Sequence, residues 1–171
     1  TEIWERSGTD ASALPPSMIM EVGEMVDAAL ADLTRDPSRY EPIYQTVRLC
    51  RQRLPEGVTM LGFAGSPWTL ACYMVEGRSG TDFRLAKKMA QEAPALMHRL
   101  LGKLADATTA YLNAQVQAGA QVLMLFDTWG GILTTRDYEM FSLKYARRII
   151  AGVTKEHECQ KVPFILFTKG G

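Results

Sequence analysis

The sequence predicts an α/β fold built on parallel strands, and three observations carry that reading. Three short runs, near residues 58–63, 121–126 and 162–167, are apolar without alternation, as strands covered on both faces read. The stretches between them carry helical periodicity, and right-handed helical crossovers are what join parallel strands. Each run also leads into a glycine-containing polar segment: Gly65-Ser66-Pro67, Asp127-Thr128-Trp129-Gly130-Gly131 and Thr168-Lys169-Gly170-Gly171. These segments lie at the carboxyl ends of the strands, where α/β folds bind ligands. An open doubly wound sheet and an arc of a (β/α)8 barrel both satisfy the pattern.

Residues 1 to about 17 show no sustained period and read as a loop or arm, with Trp4 as its candidate anchor. From Ser17 to Leu33, methionines, Val22, Val26 and Leu30 recur at three and four residues, a helical spacing ended by Asp36-Pro37-Ser38. Ile43, Val47, Cys50 and Leu54 mark one face of the next helix, which places Cys50 in a core stripe. The first strand then passes into a helix almost without a loop. Ser66 suits the N-cap and Pro67 the first helical position, where a missing N–H costs nothing. Gly62 and Gly65 bracket this turn and serve either a tight backbone or the close approach of another group.

Gly77-Arg78-Ser79-Gly80 reads as a polar turn, Asp82 to Ala93 as a helix, and Pro94 as the start of a longer one. On that helix Met97, Leu100, Leu101, Leu104, Thr108, Tyr111 and Leu112 form a regular apolar stripe that Gly119 ends; His98 beside it reads as a surface or packing residue. The second strand delivers Asp127, which either faces a ligand or caps its own loop. Thr134 with Asp137 resembles a capping box, and the following helix turns Tyr138, Phe141, Tyr145, Ile149 and Val153 inward, with Arg147 and Arg148 outward. Lys155 to Lys161, with His157, is a polar connection to the third strand. A chain ending on an uncovered strand is expected to stop within a larger fold.

Composition narrows the class. The 171 residues, 47% hydrophobic and 22% charged, suffice for one domain or part of one. Nineteen basic residues balance nineteen acidic ones, so no global field draws the chain to nucleic acid or to an anionic membrane surface. Cys50, Cys72 and Cys159 are widely separated, without CxxC or Cys/His ligand spacing, so neither a disulfide framework nor a zinc site is expected. No stretch approaches the ~18 apolar residues of a membrane span, and the first residues do not read as a signal peptide. A cytoplasmic location is expected.

Leu61-Gly-Phe-Ala-Gly-Ser-Pro-Trp-Thr-Leu-Ala-Cys-Tyr-Met-Val-Glu-Gly77 strongly resembles a motif of the uroporphyrinogen decarboxylase family, above all its bacterial form. So, in the same order, do Tyr111-Leu-Asn-Ala-Gln115 with Ala118-Gly-Ala-Gln121, Phe126-Asp-Thr-Trp-Gly-Gly131 and Phe141-Ser-Leu-Lys-Tyr145. The resemblance runs from about residue 36 to 171 and sets residues 1–33, as an arm and helix, apart from a partial barrel domain over 34–171. It implies part of a (β/α)8 TIM barrel. It also implies a carboxy-lyase of haem biosynthesis that converts the four acetate side chains of uroporphyrinogen III to methyls, giving coproporphyrinogen III. Such enzymes are cytoplasmic homodimers that use no metal or organic cofactor, because a pyrrole protonated at the carbon bearing the acetate is itself the electron sink. Carried over residue by residue, Tyr73 matches the active-site tyrosine and Thr128 the hydroxyl residue that contacts substrate, with Phe63 and Phe126 as apolar wall.

The family's arginine-rich motif near the N-terminus, its aspartate after an early strand and its C-terminal histidine have no counterpart in these residues, and Arg78 stands where the family more often has glycine or serine. The isolated chain is therefore expected to be an inactive internal piece of the enzyme. Two other readings fit the same chain. One is a corrinoid-linked methyltransferase of the same superfamily, which would need zinc on His and Cys ligands near strand ends. The other is a non-catalytic half-barrel that closes its sheet against a second chain.

Overall fold

A computed structural model of the chain describes residues 37–77, 82–156 and 162–170. The expected N-terminal arm with Trp4, the helix over 17–33, Arg78-Ser79-Gly80, His157 and Cys159 lie outside the described residues.

A 3-10 turn, Pro37–Tyr40, leads into helix α1, Glu41–Arg53. Strand β1, Leu61–Gly65, is followed by three helices, α2 (Pro67–Glu76), α3 (Arg84–Glu92) and α4 (Pro94–Gln117). Strand β2, Val122–Asp127, passes through the short turns Gly130–Ile132 and Thr135–Asp137 into a π-helical segment, Tyr138–Leu143. Helix α5, Lys144–Glu156, and strand β3, Phe164–Thr168, complete the order.

The three strands form one parallel sheet in the order β1-β2-β3, with Gly65 beside Phe126, Phe126 beside Phe167 and Asp127 beside Thr168. The expected α/β arrangement is thus present, with each strand beginning one to three residues later than the apolar run suggests. At β3 the cause is Pro163, which has no N–H for the ladder and contributes only its carbonyl, accepting from Leu123 N at 2.9 Å.

Local chemistry explains where the helices start and stop. Ser66 caps α2, its hydroxyl accepting from Thr69 N at 3.1 Å, and Gly77 closes the helix in a left-handed conformation at φ 68°. Thr134 accepts from Asp137 N at 3.2 Å and donates to the Asp137 carboxylate at 2.7 Å, so the expected box forms with its second arm bound to the hydroxyl. After α4, Gly119 turns the chain at φ 114°.

Helix α4 is the spine. Its stripe of Met97, Leu100, Leu101, Leu104, Thr108 and Leu112 is buried as expected, against the sheet residues Ala64, Leu123 and Leu125 and against Ile149 and Val153 of α5. Met97 and each of these leucines contribute about 1.5–3 kcal/mol on burial. His98 packs rather than pointing away. Its ring stacks on Phe141 at 4.9 Å, and its Nδ1 lies 2.7 Å from the Tyr145 hydroxyl.

Two expectations are corrected. The strands are apolar throughout but are not covered on both faces among the described residues. Burial alternates along β1, with Gly62 and Ala64 buried and Leu61 and Phe63 exposed, and along β3, with Ile165 and Phe167 exposed. Among the described residues the helices pack on one face only. The other face carries Phe63, Phe126 and Phe167 in a row of edge-to-face rings, 5.8 and 5.9 Å apart. Cys50 and Ile43 are not in a core stripe either: both are exposed, and α1 buries Tyr44 and Val47. Tyr40 and Tyr44 gather around Tyr111 at 5.5 and 5.9 Å, and this tyrosine cluster rotates the helix past the face its aliphatic residues mark.

The outer edge of β1 is held by one side chain. Gln115 of α4 accepts from Phe63 N at 3.1 Å and donates to Phe63 O at 2.9 Å, occupying the peptide groups that point away from β2. Gly62 makes this possible, because a Cβ there would come within 2.8 Å of the Gln115 amide oxygen. Both bracketing glycines thus serve packing within the chain, Gly65 against Leu70.

Replacing Gln115 by Leu removes both bonds at a buried position and is expected to lower unfolding stability by about 1–3 kcal/mol; a denaturant midpoint equal to the parent's would show the amide to be idle. Burial, followed by the Lys144 charge, holds the His98 imidazole below its ordinary value. The folded chain therefore binds fewer protons than the unfolded one around that range. Stability is complete above about pH 6.5 and declines as pH falls through the lowered folded value. Thermal midpoints measured from pH 7.5 to 5 are expected to show that decline, and His98→Phe to flatten it; an unchanged slope in the variant would assign the effect elsewhere.

Candidate active site

Parallel register brings three strand ends to one rim. Beyond β1 stand Ser66 and the start of α2; beyond β2 stand Thr128 and Trp129; beyond β3 stand Lys169 and Gly170.

Asp127 holds this rim together. Its side chain is fully buried. One carboxylate oxygen accepts from the Ser66 hydroxyl at 2.6 Å and the Thr69 hydroxyl at 3.3 Å, and the other accepts from Ser142 at 2.5 Å. Three hydroxyl donors thereby replace the water that a buried carboxylate loses. Ser142 reaches it from the π-helical segment, whose wider turn directs the adjacent residues Phe141 and Ser142 both into the core. Asp127 therefore neither faces a ligand nor caps its own loop, the two roles its sequence position suggested. It joins the β1–α2 turn, the end of β2 and the helix after it.

The same cluster fixes Trp129. Its N–H donates to Thr69 Oγ1 at 3.3 Å, and its carbonyl accepts from Trp68 Nε1 at 3.0 Å. The indole packs on Phe83 at 4.7 Å and meets the Tyr73 ring at 6.3 Å, nearly perpendicular, while the Lys169 ammonium lies 5.9 Å from its centroid. Gly130 and Gly131 are required beneath this loop. A Cβ on Gly130 would overlap the Asp127 carboxylate, and one on Gly131 the Lys169 carbonyl. The backbone after β2 thus lies directly on the backbone after β3, which the Tyr138 and Thr168 hydroxyls tie at 3.0 Å.

The four candidate residues are brought together in part. Phe63 and Phe126 are in ring contact on the uncovered face. Tyr73, 37% exposed on α2, shares with Phe63 the wall of an apolar cavity of about 420 Å3 along the outer edge of β1, lined also by Leu70, Met74, Leu104 and Tyr111. Phe126 and Thr128 lie outside that cavity. Thr128 joins the group through its neighbour Trp129, which touches Tyr73. Tyr73 thus spans the cavity and the rim. Cys72 beside it is no nucleophile: it is fully buried, and that burial, with the Asp127 charge, pushes its thiol well up.

Trp129, Phe167 and Lys169 were not proposed as site residues from the sequence, although Trp129 stands in one of the motifs, Phe167 ends the third apolar run and Lys169 lies in the polar segment after it. The alternation of β3 would have placed Phe167 on the same face as Ile165. No three His, Cys, Asp or Glu side chains gather into a metal-binding group among the described residues, so the donor set of a corrinoid-linked methyltransferase is not found there. Nor, among them, is any helix long and apolar enough to cross a membrane.

Comparison with known proteins gives a consistent result. A family model described as uroporphyrinogen decarboxylase matches residues 9–171, beginning ahead of the first motif. The chain is 58% identical over 129 residues to the uroporphyrinogen decarboxylase of Nitrosococcus oceani, covering 75% of this chain and 36% of that protein. It is 52% identical over 144 residues to the enzyme of that name from Bordetella bronchiseptica, covering 84% and 40%, and 52% identical over 149 residues to that of Chromohalobacter salexigens, covering 86% and 41%. The chain thus spans about two fifths of the length of these relatives. With its parallel strands, its rim and its four ordered motifs all in place, the chain belongs to the uroporphyrinogen decarboxylase family.

Proposed function

We propose that the complete gene product carrying these residues decarboxylates the four acetate side chains of uroporphyrinogen III to methyl groups, releasing coproporphyrinogen III, without metal or organic cofactor. The observation that carries this reading is the row of Phe63, Phe126 and Phe167 rings running along the sheet beneath the rim that holds Tyr73 and Trp129. A tetrapyrrole has a broad apolar body fringed by carboxylates, and this surface offers the matching halves: aromatic area for the body and polar groups above it for the fringe.

At each acetate the pyrrole carbon takes up a proton, the bond to the carboxylate carbon breaks, and its electron pair flows into the protonated ring as carbon dioxide leaves. A second proton then completes the methyl group as the ring carbon gives up the first, which restores the pyrrole, so each acetate takes up one proton net and releases one carbon dioxide. In this arrangement Phe63 and Phe126 position the macrocycle. Tyr73 donates a phenolic hydrogen bond to a carboxylate or to the reacting edge, and Thr128 hydrogen-bonds a side chain of the substrate. The family resemblance supports placing the protein in the cytoplasm as a homodimer. The chain has no counterpart of the family's N-terminal arginines, early aspartate and C-terminal histidine, so the 171 residues alone lack its main carboxylate clamp.

The complete gene product is expected to form coproporphyrinogen from uroporphyrinogen in an anaerobic assay, and the 171-residue chain alone to form none; the reverse result would overturn the assignment. Tyr73→Phe keeps the ring contacts to Phe83 and Trp129 while removing one hydroxyl. It is expected to lower kcat about three- to tenfold with an unchanged thermal midpoint. Parent-like kinetics would remove Tyr73 from the site.

A further inference from the structure

We propose that Lys169 is a substrate-binding residue of this site, its ammonium receiving a carboxylate of the tetrapyrrole beside Thr128; this rests on the functional reading above. Register supplies the first argument. Asp127 lies beside Thr168, so the residues that follow, Thr128 and Lys169, leave neighbouring strand ends together. Each follows its strand two residues after a phenylalanine of the uncovered face, Phe126 or Phe167, whose rings are in edge-to-face contact at 5.9 Å.

The backbone of Lys169 is held on the side of the loop after β2. Its carbonyl lies against Gly131, where no Cβ fits, and the preceding Thr168 is hydrogen-bonded to Tyr138 at 3.0 Å. The ammonium is steered by the Trp129 indole, 5.9 Å away at its centroid, and that indole is itself held through both backbone groups of Trp129. The ammonium thus lies over an indole whose ring also meets Tyr73.

Its charge is also unspent. Lys169 is exposed and makes no ion pair with a described residue. Asp127, the acidic residue that ends the neighbouring strand, is sealed on the other face by Ser66, Thr69 and Ser142. A cation above an aromatic floor, with no counter-charge paired to it among the described residues, suits an anion delivered by an apolar ligand. The carboxylates at the edge of a tetrapyrrole lying on Phe126 and Phe167 meet that description.

The test compares the complete gene product with Lys169→Met, which keeps the apolar stem, and Lys169→Arg, which keeps the charge. Lys169→Met is expected to raise KM for uroporphyrinogen about tenfold, to change kcat less than about twofold, and to weaken the dependence of KM on salt. Lys169→Arg is expected to restore most of the loss. A parent-like KM and salt dependence in Lys169→Met, or an effect confined to kcat, would overturn the assignment while leaving the functional reading intact. A parent that forms no coproporphyrinogen would remove both.

Discussion

A buried carboxylate bound by three hydroxyls is the constraint on which the arrangement of this chain depends. Asp127 ends β2, Ser66 caps the helix after β1, Thr69 lies one turn into that helix, and Ser142 arrives from the helix after β2. Each donor comes with an element attached, so satisfying one charge sets the relative positions of two strand ends and two helices. A charged group stripped of water and left unpaired costs several kcal/mol. The alternatives in which any of these elements drifts are disfavoured accordingly. Thr69 passes the constraint on to Trp129, and Trp129 passes it to Tyr73, Phe83 and Lys169 through ring contacts. The polar groups at the rim are thus organised from beneath, by a residue that faces away from the surface they line.

The sheet has two apolar faces with different surroundings. One is packed by α4 and α5 and forms the core around Leu123, Leu125, Leu100 and Ile149. The other carries the three phenylalanines and Ile165, several of them more than one third exposed. In a (β/α)8 barrel the inward face of such an arc is filled by side chains from strands elsewhere in the ring. Aromatic rings suit this position because they keep their mutual edge-to-face contacts while presenting broad area above. The same residues are at once barrel lining and a surface on which a flat apolar molecule can rest.

Much of this was legible in the sequence, for identifiable reasons. Uninterrupted apolar runs placed the strands because a parallel sheet needs no polar face, and the spacing of Met97, Leu100, Leu104 and Leu112 placed α4 because a long helix repeats its pattern enough times to be unambiguous. Capping residues such as Ser66, Thr134 and Gly119 act within a few residues and so read directly. What escaped depends on partners distant in the chain. The rotation of α1 follows from Tyr111, far along the sequence, and so Cys50 lost the core position its spacing suggested. Asp127 offered two local readings, and its actual role involves hydroxyls 61 residues before it and 15 after. Lys169 acquires meaning only once register sets it beside Thr128.

Gln115 has a bearing on association that goes beyond stability. A bare edge strand recruits foreign strands indiscriminately, and proteins blunt such edges to stay apart. Here a single amide presents to Phe63 the same donor and acceptor that a neighbouring peptide would, anchored on the longest described helix. Any strand that adds to β1 must evict it. Random aggregation through that edge therefore meets a barrier, whereas a partner strand bringing enough apolar surface to fill the adjoining cavity offsets the eviction. The edge discriminates between partners by how much each one buries.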